Sequence, residues 1–290
     1  MDWYYLALIS AILSAVAAIL QKKVLFTFDA LEFSFVLSMF NAIIVLTLIG
    51  NVDFSLVNPI GILVLYFKTF LGALAFWFVM LAIKNMEISG ALPLMVLTPG
   101  IVAIFSFFLL GEAIESIEII GMLFLLTGTY ILEVRKGTNI FNPFKTFINS
   151  KYHHFIIYAI LLFTFSSIID KVVLKHYKLA PVSFLIFQQL FLAINFTLLV
   201  LFKRKNFAKI FCSVNQGLVL WIVLISLATL GYRYTQIEAF KIAPIALVLS
   251  IKRTSVFFAS VMGGKLFAEQ NLLRKSFAII VMLFGAYLLS

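Results

Sequence analysis

The chain has 290 residues, of which 63% are hydrophobic and only 12% are charged, and its net charge is +10. A soluble domain of this size would carry about twice that share of charged residues, so the composition excludes an ordinary soluble protein. The positive charge does not indicate nucleic-acid binding, because the basic residues cluster in short loops, as they do on the cytoplasmic side of membranes. The single cysteine, Cys212, excludes an intrachain disulfide.

Ten apolar runs follow one another along the chain, each near the roughly 20 residues that a helix needs to cross a bilayer. Because a helix satisfies its own backbone hydrogen bonds in lipid, the runs predict an all-α polytopic membrane protein. The first run lacks a basic leader and a small-residue cleavage pattern, so it is interpreted as a mature span and not as a signal peptide. The predicted spans are 3–20, 31–49, 60–83, 88–110, 117–134, 153–173, 181–202, 217–240, 243–266 and 272–289.

The second half of the chain repeats residues of the first half at nearly constant spacing. The matched pairs are Lys22 and Lys171, Leu25 and Leu174, Ser34 and Ser183, Phe35 and Phe184, Ala82 and Ala239, Lys84 and Lys241, Glu112 and Glu269, Gly128 and Gly285, and Tyr130 and Tyr287. Each half holds five predicted spans, and two odd-numbered repeats in one chain must be inverted relative to each other, as in alternating-access transporters. We therefore predict a first five-helix repeat at 1–137, a basic linker at 138–152 and a second, inverted repeat at 153–290.

Loop charge predicts an orientation in the membrane. The loops after the odd-numbered spans carry most of the Lys and Arg residues, among them Lys22, Lys23 and Lys84, whereas the loops after spans two and four carry none. The positive-inside rule therefore places the odd-numbered loops in the cytoplasm and both termini outside.

Two short motifs occur at matched places in both halves. Span four is followed by Gly111 and Glu112 and span five closes on 128–132, while the second half has Glu269 and closes on 285–289. With five-plus-five spans, these motifs resemble the EamA branch of the drug/metabolite transporter superfamily over nearly the whole chain. The resemblance implies a multi-pass carrier of small metabolites in the plasma membrane, of the bacterial inner-membrane type.

The resemblance also implies a central cavity. In the family, the third, fourth, eighth and ninth spans line it, with parts of the first and sixth. The chain departs from an even repeat at Pro99 in span four, because the matching position in span nine is Val256. Some family members have both termini in the cytoplasm, which is the opposite of the orientation that loop charge predicts here.

Lys252 and Arg253 are the strongest candidates for binding a solute. Lys252 lies eight residues after Pro244 in span nine, about 12 Å from the nearer helix end, which is too far for easy snorkelling. Charged residues inside a membrane are functional candidates by default. In a cavity, Arg253 would clamp a carboxylate or phosphate and Lys252 would add a point charge. The alternative is an internal ion pair with Glu238 or another acid that holds two helices together.

Span eight supplies further candidates. Tyr232 and Gln236 are four residues apart and share a helix face, and with Arg233 they would form a polar and aromatic wall opposite Lys252. The alternative for Tyr232 and Arg233 is anchoring at the membrane interface. Glu238 is a candidate for proton coupling in this half. The alternative role for its side chain is a salt bridge to Arg233 or Lys241.

The remaining candidates lie in spans three and four and at span ends. Tyr66 and Lys68 in span three are candidates for substrate binding, and snorkelling is the alternative for Lys68. Pro99 kinks span four and acts either as a hinge or as a bent packing element. Glu112 and Glu269 are interpreted as helix-end anchors within reach of water, with gating as the alternative.

Other polar residues are given structural interpretations. Asn41, Gln188 and Gln189 are expected to form hydrogen bonds between helices. His153 and His154 lack acidic or cysteine partners at ligand spacing, so no metal or cofactor is expected.

The function that these patterns favour is secondary transport. The solute would be an amino acid or another carboxylate-bearing or anionic metabolite, moved by alternating access with a coupling proton or counter-solute. No catalytic pair, nucleophile elbow or phosphate-binding glycine loop is found, so an enzyme is not expected. We expect the protein to act as a monomer without nucleic acid. The alternative is a membrane receptor, channel or assembly factor that transports nothing.

Overall fold

A computed structural model describes residues 2–52, 54, 57–98, 100–101, 104–105, 116–133, 148–214, 216–243 and 245–288. These residues form α-helices and short 3₁₀ turns, without a strand in the described ranges. Pro99, Glu112 and residues 138–147 of the predicted linker lie outside the described residues. The helices are α1 (Trp3–Leu25), α2 (Ala30–Leu46), α3 (Pro59–Asn85), α4 (Ile88–Leu94), α5 (Ser116–Glu133), α6 (Lys151–Lys175), α7 (Pro181–Phe202), α8 (Phe207–Cys212), α9 (Gln216–Ile242), α10 (Ile245–Leu266) and α11 (Leu272–Leu288).

The helix starts follow local sequence signals. The Asp29 carboxylate accepts hydrogen bonds from the backbone N–H groups of Leu31 and Glu32 at the start of α2, and Asn58 caps α3 in the same way. Such side chains satisfy backbone donors that have no partner within the helix. Helices α3 and α7 both begin with proline, whose missing N–H costs nothing at the first helical position.

The described part of predicted span four is interrupted. Helix α4 ends at Leu94, and a 3₁₀ turn follows over Met95–Leu97. Proline has no N–H, so Pro99 has no donor for the carbonyl of Met95, four residues earlier. The Thr98 hydroxyl donates to that carbonyl instead, at 2.7 Å. The described irregularity therefore lies in the turn before Pro99.

The outer surface of the protein is apolar. Within the described residues, five helices are long and apolar enough to cross a membrane, and they span Trp3–Leu25, Pro59–Asn85, Lys151–Leu174, Pro181–Phe202 and Gln216–Phe240. Shorter apolar helices cover Ala30–Leu46, Ile88–Leu97 and Ser116–Leu132. Large side chains such as Leu63, Leu126, Leu220 and Met262 point outward and are exposed. Exposed apolar surface of this extent fits a bilayer and not water.

The two halves of the chain are interleaved. The most extensive helix contacts pair α1 with α9 and α10, α3 with α6 and α7, α2 with α7, α4 with α10, and α5 with α11. Each of these pairs joins the first half to the second. The largest buried cluster likewise draws on both halves, with Phe33 and Phe196 among its members. Neither half therefore forms a separate core of its own in the described part.

Two lysines that were counted as loop cations lie inside helices. Lys22, in the last turn of α1, is buried and donates to the carbonyls of Ile83 and Met86 at 2.6 and 2.7 Å. Lys84, near the end of α3, donates to the carbonyl of Phe28 at 2.8 Å. Both lysines donate to carbonyls that lie at a helix end or in the turn that follows one. The interpretation of these two residues as loop cations is therefore wrong.

Glycines at matched positions let α5 and α11 approach closely. A Cβ atom at Gly285 would lie 2.6 Å from the carbonyl oxygen of Gly121 and 2.8 Å from the nitrogen of Leu125. A Cβ atom at Gly128 would lie 2.9 Å from the carbonyl oxygen of Ala278. These neighbours are backbone atoms, which cannot rotate away as a side chain can. Small residues allow this kind of close helix packing in membranes.

We expect Gly285→Ala to lower the free energy of unfolding by about 1–3 kcal/mol, because the added methyl group must push two helices apart. Gly90→Ala is the matched control, since a Cβ atom at Gly90 meets nothing within 4 Å. Unfolding in detergent micelles, followed by tryptophan fluorescence, measures both changes. Equal stability of the two variants would contradict the close packing.

A charged contact joins the loop before α2 to the segment after α7. Lys205 donates to Asp29 at 3.0 Å and to Glu32 at 2.8 Å. Burial alone would raise the pKa of Asp29, but the hydrogen bond and charge of Lys205, with two backbone N–H groups, hold that pKa below its usual value. A carboxyl whose pKa is lowered by folding stabilises the protein at neutral pH and loses this effect on acidification.

We expect Asp29→Asn to be less stable than the wild type by about 1 kcal/mol or less at neutral pH, because the pair is partly exposed. Asparagine keeps the helix cap, so the difference reports the charge. The difference should vanish as the pH falls through the Asp29 pKa of the folded protein. Unfolding curves at a series of pH values measure it, and a difference independent of pH would exclude the charge effect.

Candidate functional site

A cavity of about 300 Å³ lies between the two halves. Eight helical segments line it, and α5 and α11 contribute none of its described lining residues. The lining includes residues of α2 and α7, such as Asn41 and Gln188, in addition to the spans that the family resemblance implied. The charged lining residues are Lys68, Asp170, Arg233, Lys252 and Arg253.

A buried ion pair joins α3 to α6. The Nζ atom of Lys68 lies 2.7 Å from Oδ1 of Asp170, and the two side chains are 3% and 9% exposed. A guanidinium nitrogen of Arg233 on α9 lies 3.7 Å from the other carboxylate oxygen. Lys68 therefore does not snorkel to an interface, since its charge is held inside the protein by Asp170.

Asp170 was missed in the sequence. It lies three residues before the predicted end of span six and next to Lys171. The helix continues to Lys175, so Asp170 is deeper than predicted. The available signal was that Asp170 is the only acidic residue in the run 153–173, and a carboxylate in a membrane span is a functional candidate.

Two glutamines connect the cations of α9 and α10. Arg233 donates to the side-chain oxygen of Gln188 at 2.9 Å and to that of Gln236 at 3.3 Å. Lys252 donates to the same oxygen of Gln236 at 2.5 Å, and its Nζ lies 4.8 Å from the ring centre of Tyr232. The ring face and the amide oxygens reduce the cost of burying these charges, because both are electron-rich.

Arg253 lines the cavity with an unused donor. Its Nε atom is buried and has no hydrogen-bond partner among the described residues. The predicted alternative paired Lys252 or Arg253 with Glu238. Glu238 instead shares a hydrogen bond with Tyr234, four residues earlier on α9, and it is not a lining residue of the cavity.

Six of the seven predicted substrate-binding residues lie around the cavity. They are Lys68, Tyr232, Arg233, Gln236, Lys252 and Arg253. The seventh, Tyr66, is not a lining residue, and its ring packs edge-to-face against Phe191 with the centroids 5.2 Å apart. Tyr66 and Lys68 are two positions apart, so the two side chains point about 200° apart around α3.

Neutral polar lining residues connect neighbouring helices. Asn41 of α2 donates to the side-chain oxygen of Gln189 on α7 at 3.3 Å. Gln188 also lines the cavity and accepts from Arg233. These residues therefore form hydrogen bonds between helices and also contribute to the cavity wall.

The described lining carries more positive than negative charge. Four cations face one carboxylate, a formal excess of three positive charges. Such a lining favours anions, which would supply the negative charge that the protein lacks. Across the described residues, no group of three or more His, Cys, Asp or Glu side chains could hold a metal ion.

Glu269 caps α4 at one end of the bundle. Its carboxylate accepts from the backbone N–H groups of Ile88 at 2.6 Å and Ser89 at 3.0 Å, and from the Ser89 hydroxyl. Lys275 on α11 donates to the same hydroxyl and to Glu87. The Glu269 side chain is only 5% exposed. The expectation that water reaches it is therefore wrong, because its carboxylate satisfies the first turn of α4 instead.

An apolar exterior around a charged cavity that is walled by helices of both halves defines a multi-pass membrane protein. Residues 1–134 match the EamA-like transporter family, which belongs to the drug/metabolite transporter superfamily. The resemblance noted in the sequence is thus confirmed over the first half of the chain. Members of this family are transporters.

Solved structures share the fold. In total, 27 chains match, and one crystal structure aligns with a TM-score of 0.59 at 16% sequence identity, covering 96% of each chain. At this identity the likeness shows the fold alone. The chain matches no curated protein at a significant level.

We expect Asp170→Asn to lower the free energy of unfolding by about 3–5 kcal/mol, because it leaves Lys68 buried without a carboxylate. Adding Lys68→Gln should restore part of that loss, since both charges of the pair are then gone. Unfolding of the single and double variants in detergent completes a double-mutant cycle. If the losses in free energy of unfolding of the two single variants simply add in the double variant, the two side chains are not coupled.

Proposed function

We propose that the protein is a secondary transporter that carries a small anionic solute across the plasma membrane by alternating access, as a monomer. One observation carries the proposal: the described lining of the cavity holds four cations and one carboxylate. The match to the EamA-like transporter family over residues 1–134 supports transport as the activity. The solute preference rests on the cavity alone.

The charge excess gives the cavity a physical reason to bind an anion. A charged side chain near the middle of a membrane costs about 2.5–3.5 kcal/mol or more unless it is solvated or paired. An anionic solute would replace water around Lys252 and Arg253 and would form charge-assisted hydrogen bonds with them. Arg253 is suited to this role, because it lines the cavity and no ion pair is found for it among the described residues.

The helix packing supports a ten-span architecture with two inverted repeats. The helices α1, α2, α3, α4 and α5 of the first half correspond in order to α6, α7, α9, α10 and α11 of the second half. Under this correspondence, the contact between α1 and α9 is equivalent to the contact between α6 and α3. The contact of α2 with α9 becomes that of α7 with α3, and both contacts occur. The pairs α2 with α7, α4 with α10 and α5 with α11 correspond to themselves, and they also occur. Helix α8 lies in a loop in this scheme.

This pseudo-symmetry supports alternating access. Because these contacts of one half have counterparts in the other, the two halves could exchange conformations and open the same cavity to the opposite side. The irregular turn over Met95–Leu97 beside the cavity is a place where α4 could bend. A hinge at Pro99 and a coupling role for Glu238 remain predictions.

Flux measurements on purified protein in liposomes test the proposal. We expect saturable uptake of at least one labelled monocarboxylate, dicarboxylate or amino acid, stimulated by the same solute on the far side. Lys252→Ala and Arg253→Ala should each reduce the initial rate by about 10-fold or more, because each removes a charged hydrogen-bond donor worth about 1.5–3 kcal/mol. Lys265→Ala is the matched control, since Lys265 lies on the same helix and is exposed.

Other results would assign another function. Flux that does not saturate would indicate a channel, and binding without flux would indicate a receptor or assembly factor. If Lys252→Ala and Arg253→Ala unfold in detergent while Lys265→Ala does not, the two cations are structural.

A further inference from the structure

We infer that the solute is a small dianion that carries no ammonium group. This inference rests on the proposed function, because it names the class of solute that the same cavity would carry. The inference distinguishes two classes of solute, amino acids and dianions, both of which would fit a general preference for carboxylates. A zwitterionic amino acid needs a partner for its ammonium group, whereas a dianion needs only cations.

The cavity's carboxylate is already occupied. Asp170 is the one acidic residue among the described lining residues. One of its oxygens lies 2.7 Å from Lys68, and the other lies 3.7 Å from Arg233. An ammonium group that approached Asp170 would therefore meet two cations at close range. Like charges placed together at a binding site are strongly unfavourable.

The amide oxygens next to the cations are occupied as well. Gln236 accepts from both Arg233 and Lys252, and Gln188 accepts from Arg233. Asn41 has a buried side-chain oxygen that accepts no hydrogen bond from the described residues. This neutral acceptor suits a solute hydroxyl, and it cannot offset the surrounding positive charge for an ammonium group.

Three cations remain after the Lys68 and Asp170 pair is set aside. Arg233, Lys252 and Arg253 line the cavity, and no carboxylate within salt-bridge distance is found for Lys252 or Arg253 in the described part of the chain. A monoanion would leave most of this charge unbalanced. Two negative charges on one solute balance it better, and the volume of about 300 Å³ limits that solute to a small molecule.

Succinate and aspartate give a matched test. They share a four-carbon dicarboxylate skeleton, and aspartate adds one ammonium group. We expect purified full-length protein in detergent to bind succinate at least about 10-fold more tightly than aspartate by isothermal titration calorimetry, and to bind alanine more weakly still. Inorganic phosphate, titrated in parallel, distinguishes a phosphoryl dianion from a dicarboxylate. Tighter binding of either dianion than of aspartate supports the inference.

Variants distinguish two possible roles of the Asp170 carboxylate, which are pairing with Lys68 and binding a solute ammonium group. Lys68→Gln with Asp170→Asn removes the ion pair without changing the charge excess, so the preference for the bound dianion over aspartate should persist, whereas Arg253→Gln should lose about 10-fold or more of the affinity for the dianion. Lys265→Ala serves as the control with unchanged affinity. Thermal unfolding of each variant shows that the protein titrated is folded.

Aspartate binding equal to or tighter than that of both dianions would overturn the inference, and its loss in the double variant would place Asp170 on the ammonium group. Saturable liposome uptake of aspartate, with succinate and phosphate inert, would overturn the inference while leaving the proposed transport function intact. Absence of saturable flux for every probe would overturn the proposed function itself.

Discussion

The structure depends on how positive charge is accommodated inside a lipid-facing bundle. Lys68, Arg233, Lys252 and Arg253 lie on three different helices, and all face the same cavity. Asp170 neutralises part of this charge by pairing with Lys68 and approaching Arg233. Breaking a buried pair is costly because it leaves a charge unsolvated. The pair therefore helps to fix α3, α6 and α9 relative to one another, and the remaining charge sets what the cavity can bind.

The surrounding helices keep this polar interior within an apolar shell. Helices α5 and α11 pack backbone to backbone through Gly128 and Gly285, and they contribute no described residue to the cavity wall. The first turn of α4 is held by Glu269 from the far end of the chain. Helix α4 thus has a fixed start, an irregular turn near Met95, and cavity-facing residues on both sides of that turn.

Much of the site could be predicted from the depth of charged residues along the predicted spans. Lys252 lies too far from either end of its span to reach water easily, and the structure places it on the cavity. The internal repeat indicated that the two halves pack together, and the helix contacts do join them. The position of Asp170 along its predicted span did not reveal its burial. The predicted end of the helix was two residues too early, so a buried carboxylate looked like one at the membrane interface.

Other features depend on contacts that a single sequence does not specify. Lys22 and Lys84 look like loop cations, but they bond to backbone carbonyls of distant segments. Glu269 was expected at a wet helix end, and its partners lie about 180 residues earlier in the chain. Tyr66 is near Lys68 in sequence, yet it packs against Phe191, because the helix turns the two side chains apart. Long-range pairing of this kind is set by the tertiary fold and not by local pattern.

Anomalous diffraction from crystals grown in bromide tests most directly whether the cavity holds uncompensated positive charge. Bromide needs no knowledge of the physiological solute, because it reports only an anion-attracting site. A bromide peak inside the cavity, within contact distance of Arg253 or Lys252, is expected. Bromide bound only at exposed lysines, with Arg253 paired to a carboxylate of the protein, would contradict an anion-binding cavity.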